Sequence, residues 1–159
     1  MDMYQSEKNL LEKLADAIPG LKGYREKESR RDTDKRFREY LAGRIEGARN
    51  TIDESKREIV SAGRLDGLAD IDRLSQKALK AANLIRYASY GYSGFFDQVK
   101  IEEGELDRLY QYDMSLLADV EALEASAAGA ATNTRECENK LNALEKRIED
   151  RKNLFAVQG

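Results

Sequence analysis

The sequence contains no histidine and no tryptophan, and only one proline and one cysteine among its 159 residues. Histidine is the commonest side chain for proton transfer near neutral pH, so its absence removes the usual catalytic arrangements. It also removes the Glu-x-x-His pattern with which helical bundles hold paired metal ions. A single cysteine cannot form an intramolecular disulfide. From these absences we expect a protein that is not an enzyme, with no cofactor, no metal and no small-molecule substrate.

The only proline, Pro19, stands near the start of the chain. A proline inside a helix costs about 3 kcal/mol. The remaining sequence is free of proline and rich in Ala, Leu, Glu, Lys and Arg, which favours long helices. No segment alternates apolar and polar residues for long enough to predict a strand. The expected fold class is therefore all-α.

Long apolar runs are also missing. No stretch approaches the roughly 20 apolar residues that span a bilayer, and the first residues lack the basic and then apolar pattern of a signal peptide. Charged residues make up 36% of the chain, with a net charge of -3. We therefore expect a cytoplasmic protein, and the charge gives no reason for the whole molecule to attract nucleic acid.

Apolar residues recur at helical spacing in five segments. Over the second segment the steps alternate between four and three residues, the period of helices packed side by side. The segments run from about residue 3 to 18, from 24 to 62, from 66 to the glycine-containing turn at Tyr90, from a start between 95 and 103 to about 124, and from 133 to about 155.

The predicted architecture is an elongated antiparallel helical bundle. It has three to four long helices with coiled-coil-like packing, plus a short N-terminal helix. Residues 1–20 form an accessory amphipathic helix, and residues 21–159 form the bundle of what is one domain overall. The Ala-rich stretch 128–132 is predicted to turn; one continuous helix from Glu103 to Phe155 is the alternative.

Several residues predict helix ends and contacts. Gly63 is a predicted C-terminal cap and Asp66 a predicted N-cap. Asn133, with Glu136 three residues later, resembles a capping box. Gly43 and Gly47 lie four residues apart within the second segment, and we interpret them as a place where a neighbouring helix approaches closely.

An aromatic cluster surrounds one predicted turn. Such rings can plug the end of the bundle, which is the commoner role, or present large, rigid side chains to a partner. The adjacent pair Phe95 and Phe96 cannot easily point inward together. The candidates for protein interaction are Tyr87, Tyr90, Tyr92, Phe95 and Phe96, and Tyr110 and Tyr112 lie in the next segment.

Residues 22–38 form a basic arm with eight basic and four acidic residues, whereas residues 102–124 are strongly acidic. The two stretches can pair with each other or simply form solvated faces, which we favour because acids interleave the basic positions. An anion-binding surface is the alternative. Its candidate residues are Lys22, Arg25, Lys27, Arg30, Arg31, Lys35, Arg36 and Arg38.

Two further side chains are predicted to point inward. Asp113 lies between Leu109 and Leu116 on the apolar face of its segment, where a charge is costly unless it is paired. It is an inward charge of unknown role. Pairing with an arginine or fixing the register of the helices is the commoner explanation, and a metal-binding or catalytic carboxylate is the alternative, which the lack of histidine disfavours. Cys137 occupies an inward heptad position and is expected to be buried and inert, because a nucleophilic thiol needs a base.

Long amphipathic helices without the usual catalytic residues favour a scaffold, adaptor or regulatory protein that acts through protein–protein contacts or self-association. One alternative is a peripheral membrane-associated assembly protein whose first helix inserts Leu10, Leu11, Leu14 and Ile18 at the interface. The net negative charge argues against it. A second alternative, nucleic-acid binding through the basic arm, is disfavoured by the acids interleaved there.

Overall fold

The fold is an all-α bundle, which confirms the predicted fold class, and the described part of the chain contains four long helices and one short helix. The computed structural model describes residues 12–18, 30–88 and 103–154, and no strand occurs in these ranges. Short 3-10 turns cover Leu65–Gly67 and Lys152–Leu154. The helices are α1 (12–17), α2 (Arg30–Ser61), α3 (Leu68–Arg86), α4 (Glu103–Ala127) and α5 (Thr134–Arg151).

The four long helices are arranged in a ring in the order α2, α3, α5, α4. Each packs against its two neighbours in the ring. Side-chain pairs give the directions of α3 and α5, because Arg73–Glu138 and Lys77–Asn142 are both 65 residues apart. A constant separation means that α3 and α5 run parallel.

Consecutive helices run antiparallel within two hairpins, α2–α3 and α4–α5. In the first hairpin, Arg38 of α2 contacts the last turn of α3, and Lys56 contacts Asp72 near the start of α3. The chain then passes from α3 to α4, which occupies the opposite corner of the ring. Because α3 and α5 run parallel, their C-termini lie at the same end of the bundle, here called the Tyr87 end.

The core consists mainly of aliphatic side chains from all four long helices. Leu14, Ala15 and Ile18 of the N-terminal segment belong to the same buried cluster, so α1 packs onto the bundle core through its apolar face. Fully buried core residues from the long helices include Ile45, Ile52, Ile71, Leu74, Ile85, Leu116, Val120, Leu123 and Leu144.

The predicted turns between helices are confirmed at two places. Gly63 has φ +71, and its N–H donates to Val60 O while Arg64 N–H donates to Ile59 O. This is the Schellman pattern, in which the left-handed residue is usually glycine. Residues 128–132 turn rather than continue α4, so the chain folds back into α5.

The N-cap predicted at the start of α5 is also confirmed, although the Asn133 backbone N–H donates to Gly129 O and not, as in a complete capping box, to Glu136. Asn133 Oδ1 accepts a 3.2 Å hydrogen bond from Glu136 N, and Asn133 Nδ2 donates to Glu136 Oε2 over 2.9 Å. Both side chains therefore stabilise the turn that ends residues 128–132.

Two local predictions are corrected. Gly43 and Gly47 are exposed, and a Cβ at either position would meet nothing within 4 Å, so none of the described helices approaches there. Asp66 lies in a 3-10 turn, and α3 begins after Gly67 with no side-chain cap. Backbone N–H and C=O groups in the turn between α2 and α3 bond to one another instead, as Gly67 N does to Arg64 O.

Among the described residues, none of the helices is both long and apolar enough to cross a membrane.

Candidate functional site

Four charged side chains are buried together near the Tyr87 end. They are Asp34 and Arg38 of α2, Asp113 of α4 and Arg151 of α5, and each of these side chains is at most 4% exposed. We call this group the buried ion cluster. Its two carboxylates and two guanidinium groups balance, which is the condition under which charges are tolerated in a core.

Arg151 joins the two carboxylates. Its Nε donates to Asp113 Oδ1 over 2.8 Å and its Nη2 donates to Asp113 Oδ2 over 3.0 Å, a two-point contact. Nη2 also donates to Asp34 Oδ1, and the guanidinium carbon lies 5.7 Å from the centre of the Phe37 ring. The prediction that Asp113 pairs with an arginine is thus confirmed, and the pair connects α4 to α5 and, through Asp34, to α2.

Arg38 links the cluster to α3. Its Nε donates to Asp34 Oδ2 over 2.8 Å, and its Nη1 donates to the carbonyl oxygens of Ile85 and Arg86 over 3.3 and 2.6 Å. Carbonyl oxygens in the last turn of a helix have no hydrogen-bond donor within that helix. Arg38, on α2, provides the donor for these two carbonyls of α3. This corrects the assignment of Arg38 to an anion-facing surface.

The cluster changes the acidity of Asp113. Burial raises the pKa of Asp113 to about 6, from an ordinary value of 3.8. The positive charges and hydrogen bonds of Arg151, together with the charge of Arg38, act in the opposite direction but do not cancel the loss of hydration. Asp113 therefore takes up a proton more readily in the folded protein than in the unfolded chain.

The same contacts hold the last turn of α3, directly before Tyr87. Besides the bonds from Arg38, Arg86 Nη1 donates to Glu46 Oε1 on α2 over 2.6 Å. Tyr87 N donates to Asn83 O over 3.0 Å. The Tyr87 side chain is nevertheless 66% exposed. An exposed aromatic ring thus stands on backbone that is bonded to the core.

A shallow groove of about 330 Å³ lies beside this ring. It runs between the end of α3 and the 3-10 turn that follows α5. We call it the Tyr87 groove, and its lining residues are Lys80, Asn83, Leu84, Tyr87, Ala88 and Lys152.

The predicted aromatic cluster is divided between core and surface. Tyr110 is buried, at 6% exposed. Tyr112 is half-buried; its hydroxyl donates to Arg147 O over 2.6 Å, and the Arg147 guanidinium lies 5.0 Å from its ring centre. Tyr87 is exposed. The other interaction candidates, Tyr90, Tyr92, Phe95 and Phe96, lie outside the described residues.

The basic arm does not present one continuous face in the part that is described. Lys35 is exposed, Arg36 is half-buried and Arg38 is buried in the cluster. Lys22, Arg25 and Lys27 lie outside the described residues. Arg30 and Arg31 lie in the first turn of α2, and their side chains are likewise outside the described part.

Beyond residue 107, where the side chains of α4 are described, its acidic residues pair with arginines that lie outside the basic arm. Arg44 contacts Glu124, its Nε donating over 3.2 Å, and Arg147 Nη1 lies 3.2 Å from Asp119 Oδ2. Asp113 pairs with Arg151. Within the described part of the acidic stretch, these carboxylates are therefore paired with arginines of the two helices beside α4.

Cys137 is buried, as predicted. Burial raises the pKa of its thiol, which favours the unreactive protonated form. Across the described ranges, no group of three or more His, Cys, Asp and Glu side chains is placed to hold a metal ion.

Two parts of this site are missed by sequence reasoning. Asp34 and Arg151 were not identified as partners of Asp113, although Arg151 occupies an inward heptad position in its own segment. The sequence did contain a signal for this pair, because Asp113 and Arg151 carry opposite charges at inward positions of their two segments. Lys80 and Lys152 are far apart in sequence, and nothing in the sequence pattern indicated that they border one groove.

Comparison with known proteins yields no match to any family model, curated protein or solved structure.

Proposed function

We propose that this chain is a non-enzymatic helical scaffold or adaptor that binds another protein at the Tyr87 end of its bundle. The observation that carries the proposal is the exposed Tyr87 ring, which borders a mainly apolar groove and stands on anchored backbone. Tyrosine combines a large contact area with few rotatable bonds, and it is enriched among the residues that dominate binding energy.

Anchoring matters because binding costs free energy when side chains and backbone must be ordered. The bonds from Arg38 to the last turn of α3, and from Arg86 to Glu46, fix this backbone before any partner arrives. The buried ion cluster itself is closed to solvent, so it cannot contact a substrate. Its role in this proposal is to support the binding surface.

Two other exposed apolar side chains, Val60 and Leu65, lie at the opposite end of the bundle. Neither lines the groove at the Tyr87 end. The combination of an exposed ring, an apolar floor and polar side chains at the rim follows the usual composition of a binding site. This favours the Tyr87 end as the contact surface.

The alternatives receive less support. Leu14 and Ile18, half of the apolar set that would insert into a membrane, are buried in the bundle core at 3% and 2% exposure. Arg38, counted toward a nucleic-acid-binding arm, is buried as well. Protein contact needs no rearrangement of these residues.

Site-specific crosslinking tests the proposal. A photoreactive amino acid replaces Tyr87 in the full-length protein, expressed in its own cells, and in a control it replaces Asn50, which is exposed on α2. We expect one or a few defined protein adducts from position 87 and none of these from position 50. Identical adducts at both positions, or no adduct from position 87, would contradict the proposal.

A further inference from the structure

The charged side chains that line the Tyr87 groove are lysines. Among the described residues its lining contains Lys80 and Lys152 and no carboxylate, and Glu145, which pairs with Lys80, lies outside that lining. The floor is formed by Leu84, Ala88 and the Tyr87 ring, and Asn83 adds a neutral amide. An occupant that matches this lining therefore has an apolar part and negative charge beside it.

Both lysines have donors to offer. Lys80 Nζ lies 2.7 Å from Glu145 Oε1, yet its side chain is 62% exposed, and an ammonium group has three hydrogen-bond donors. Lys152 is exposed, and no ion pair joins it to another residue in the described ranges. Glu145 holds Lys80 at the edge of the groove without using all of its donors.

The size of the groove limits what it can hold. About 330 Å³ is at the small end of the range for ligand sites, roughly 300–1,000 Å³. A groove of this size accommodates a few side chains of one segment rather than the face of a folded domain. Its two lysines are too few for an extended phosphate backbone, whose affinity rises with each cation that contacts it.

We propose that the Tyr87 groove binds an acidic peptide segment of the partner protein. An apolar side chain of that segment packs on Leu84, Tyr87 and Ala88, and flanking carboxylates pair with Lys80 and Lys152. This inference rests on the proposed function and adds the chemistry of the partner. Charge at the rim of a contact governs which partners are selected and how fast they associate.

Selection from a library of random peptides tests whether the groove prefers acidic peptides with an apolar residue. A phage-displayed library of random short peptides is selected on the full-length protein and, in parallel, on Tyr87→Ala. Peptides enriched on the unmodified protein alone are expected to carry net negative charge and at least one large apolar residue. Enrichment of neutral or basic peptides, or of none that depends on Tyr87, overturns the inference.

A titration with one enriched synthetic peptide then tests the two lysines. Lys152→Gln is expected to weaken binding about fivefold, which corresponds to about 1 kcal/mol for one charge pair at a surface. Lys80→Gln is expected to weaken it to a similar extent. The control is Lys146→Gln, an exposed lysine of α5 that does not line the groove. Equal affinities of Lys152→Gln and Lys146→Gln overturn the inference.

Crosslinking from position 87 separates this inference from the proposed function. If the Lys80→Gln, Lys152→Gln double variant forms the same protein adduct in undiminished yield, the proposed function stands and the acidic partner is refuted. If the chain with native lysines forms no adduct, the proposed function fails whatever the peptides show.

Discussion

Arg38 on α2 donates a 2.6 Å hydrogen bond to the carbonyl oxygen of Arg86, the last residue of α3. The donor belongs to a cluster of four buried charges, and the acceptor immediately precedes the exposed Tyr87. A polar network inside the bundle is thereby connected to the surface that we propose for binding. The effect of this network on the free energy of unfolding and its effect on binding at the surface can be measured separately.

Replacing Arg151 with methionine removes the cation that Asp34 and Asp113 share. Breaking a buried ion pair typically costs about 3–5 kcal/mol, because a charge remains buried without its partner. We expect the free energy of unfolding, measured by urea denaturation, to fall by about this amount. Arg135→Met, an exposed change on the same helix, serves as the control and should alter stability by no more than about 0.5 kcal/mol. Similar losses of stability in both variants would show that the buried ion cluster contributes no more to stability than an exposed arginine does.

The raised pKa of Asp113 makes stability depend on pH in a defined direction. Burial raises this pKa from 3.8 to about 6, so between these values the folded state holds a proton that the unfolded chain has released. The resulting stabilisation is fully present below about pH 4 and is lost as pH rises through about 6. A shift of about two pKa units corresponds to about 3 kcal/mol.

Asp113→Asn isolates this effect because the amide does not titrate. Relative to that variant, the unmodified protein is expected to lose about 2–2.5 kcal/mol in free energy of unfolding between pH 4 and pH 7. Parallel stability curves for the two proteins over this range would refute the assigned cause. Chemical denaturation at several pH values supplies the measurement.

Replacing each of three glycines with alanine should change the stability of the protein, with a gain at two positions and a loss at the third. Gly43 and Gly47 lie inside α2 with open space where a Cβ would be, so alanine at either is expected to stabilise the protein by about 0.5–1 kcal/mol. Gly63 has φ +71, a conformation that strains other residues, and alanine there is expected to destabilise by about 1 kcal/mol. Thermal unfolding of the three variants gives the comparison, and a gain at Gly63 or a loss at Gly43 contradicts it.

The ion pairs between α3 and α5 should depend on salt. Arg73 lies 2.7 Å from Glu138, and both side chains are partly or largely exposed. Arg73→Glu places like charges together and should lower the thermal midpoint, and adding Glu138→Lys should restore it. Because exposed charges are screened by ions, the coupling in this double-mutant cycle should shrink at high salt. A coupling that salt leaves unchanged would contradict an electrostatic origin.

The sequence was a good guide wherever short-range chemistry decides. Gly63 ends α2 and Asn133 begins α5, as predicted, because a left-handed backbone and a side-chain cap each depend on neighbours within a few residues. The inward position of Asp113 followed equally from periodicity. The placement of Gly43 and Gly47 did not, because glycine spacing alone does not show whether a helix lies opposite.

The amino-acid sequence by itself determined the helices, their approximate limits and the all-α class, since proline-free, periodic segments can bury their apolar faces only against one another. Tertiary structure alone decided that α3 lies beside α5 and α2 beside α4. It also brought Asp34, Arg38, Asp113 and Arg151 to one point and set Lys80 and Lys152 at one groove. These residues are distant along the chain, and no local rule relates them. Only the relative position of packed helices determines whether such charges meet, face solvent or border a surface.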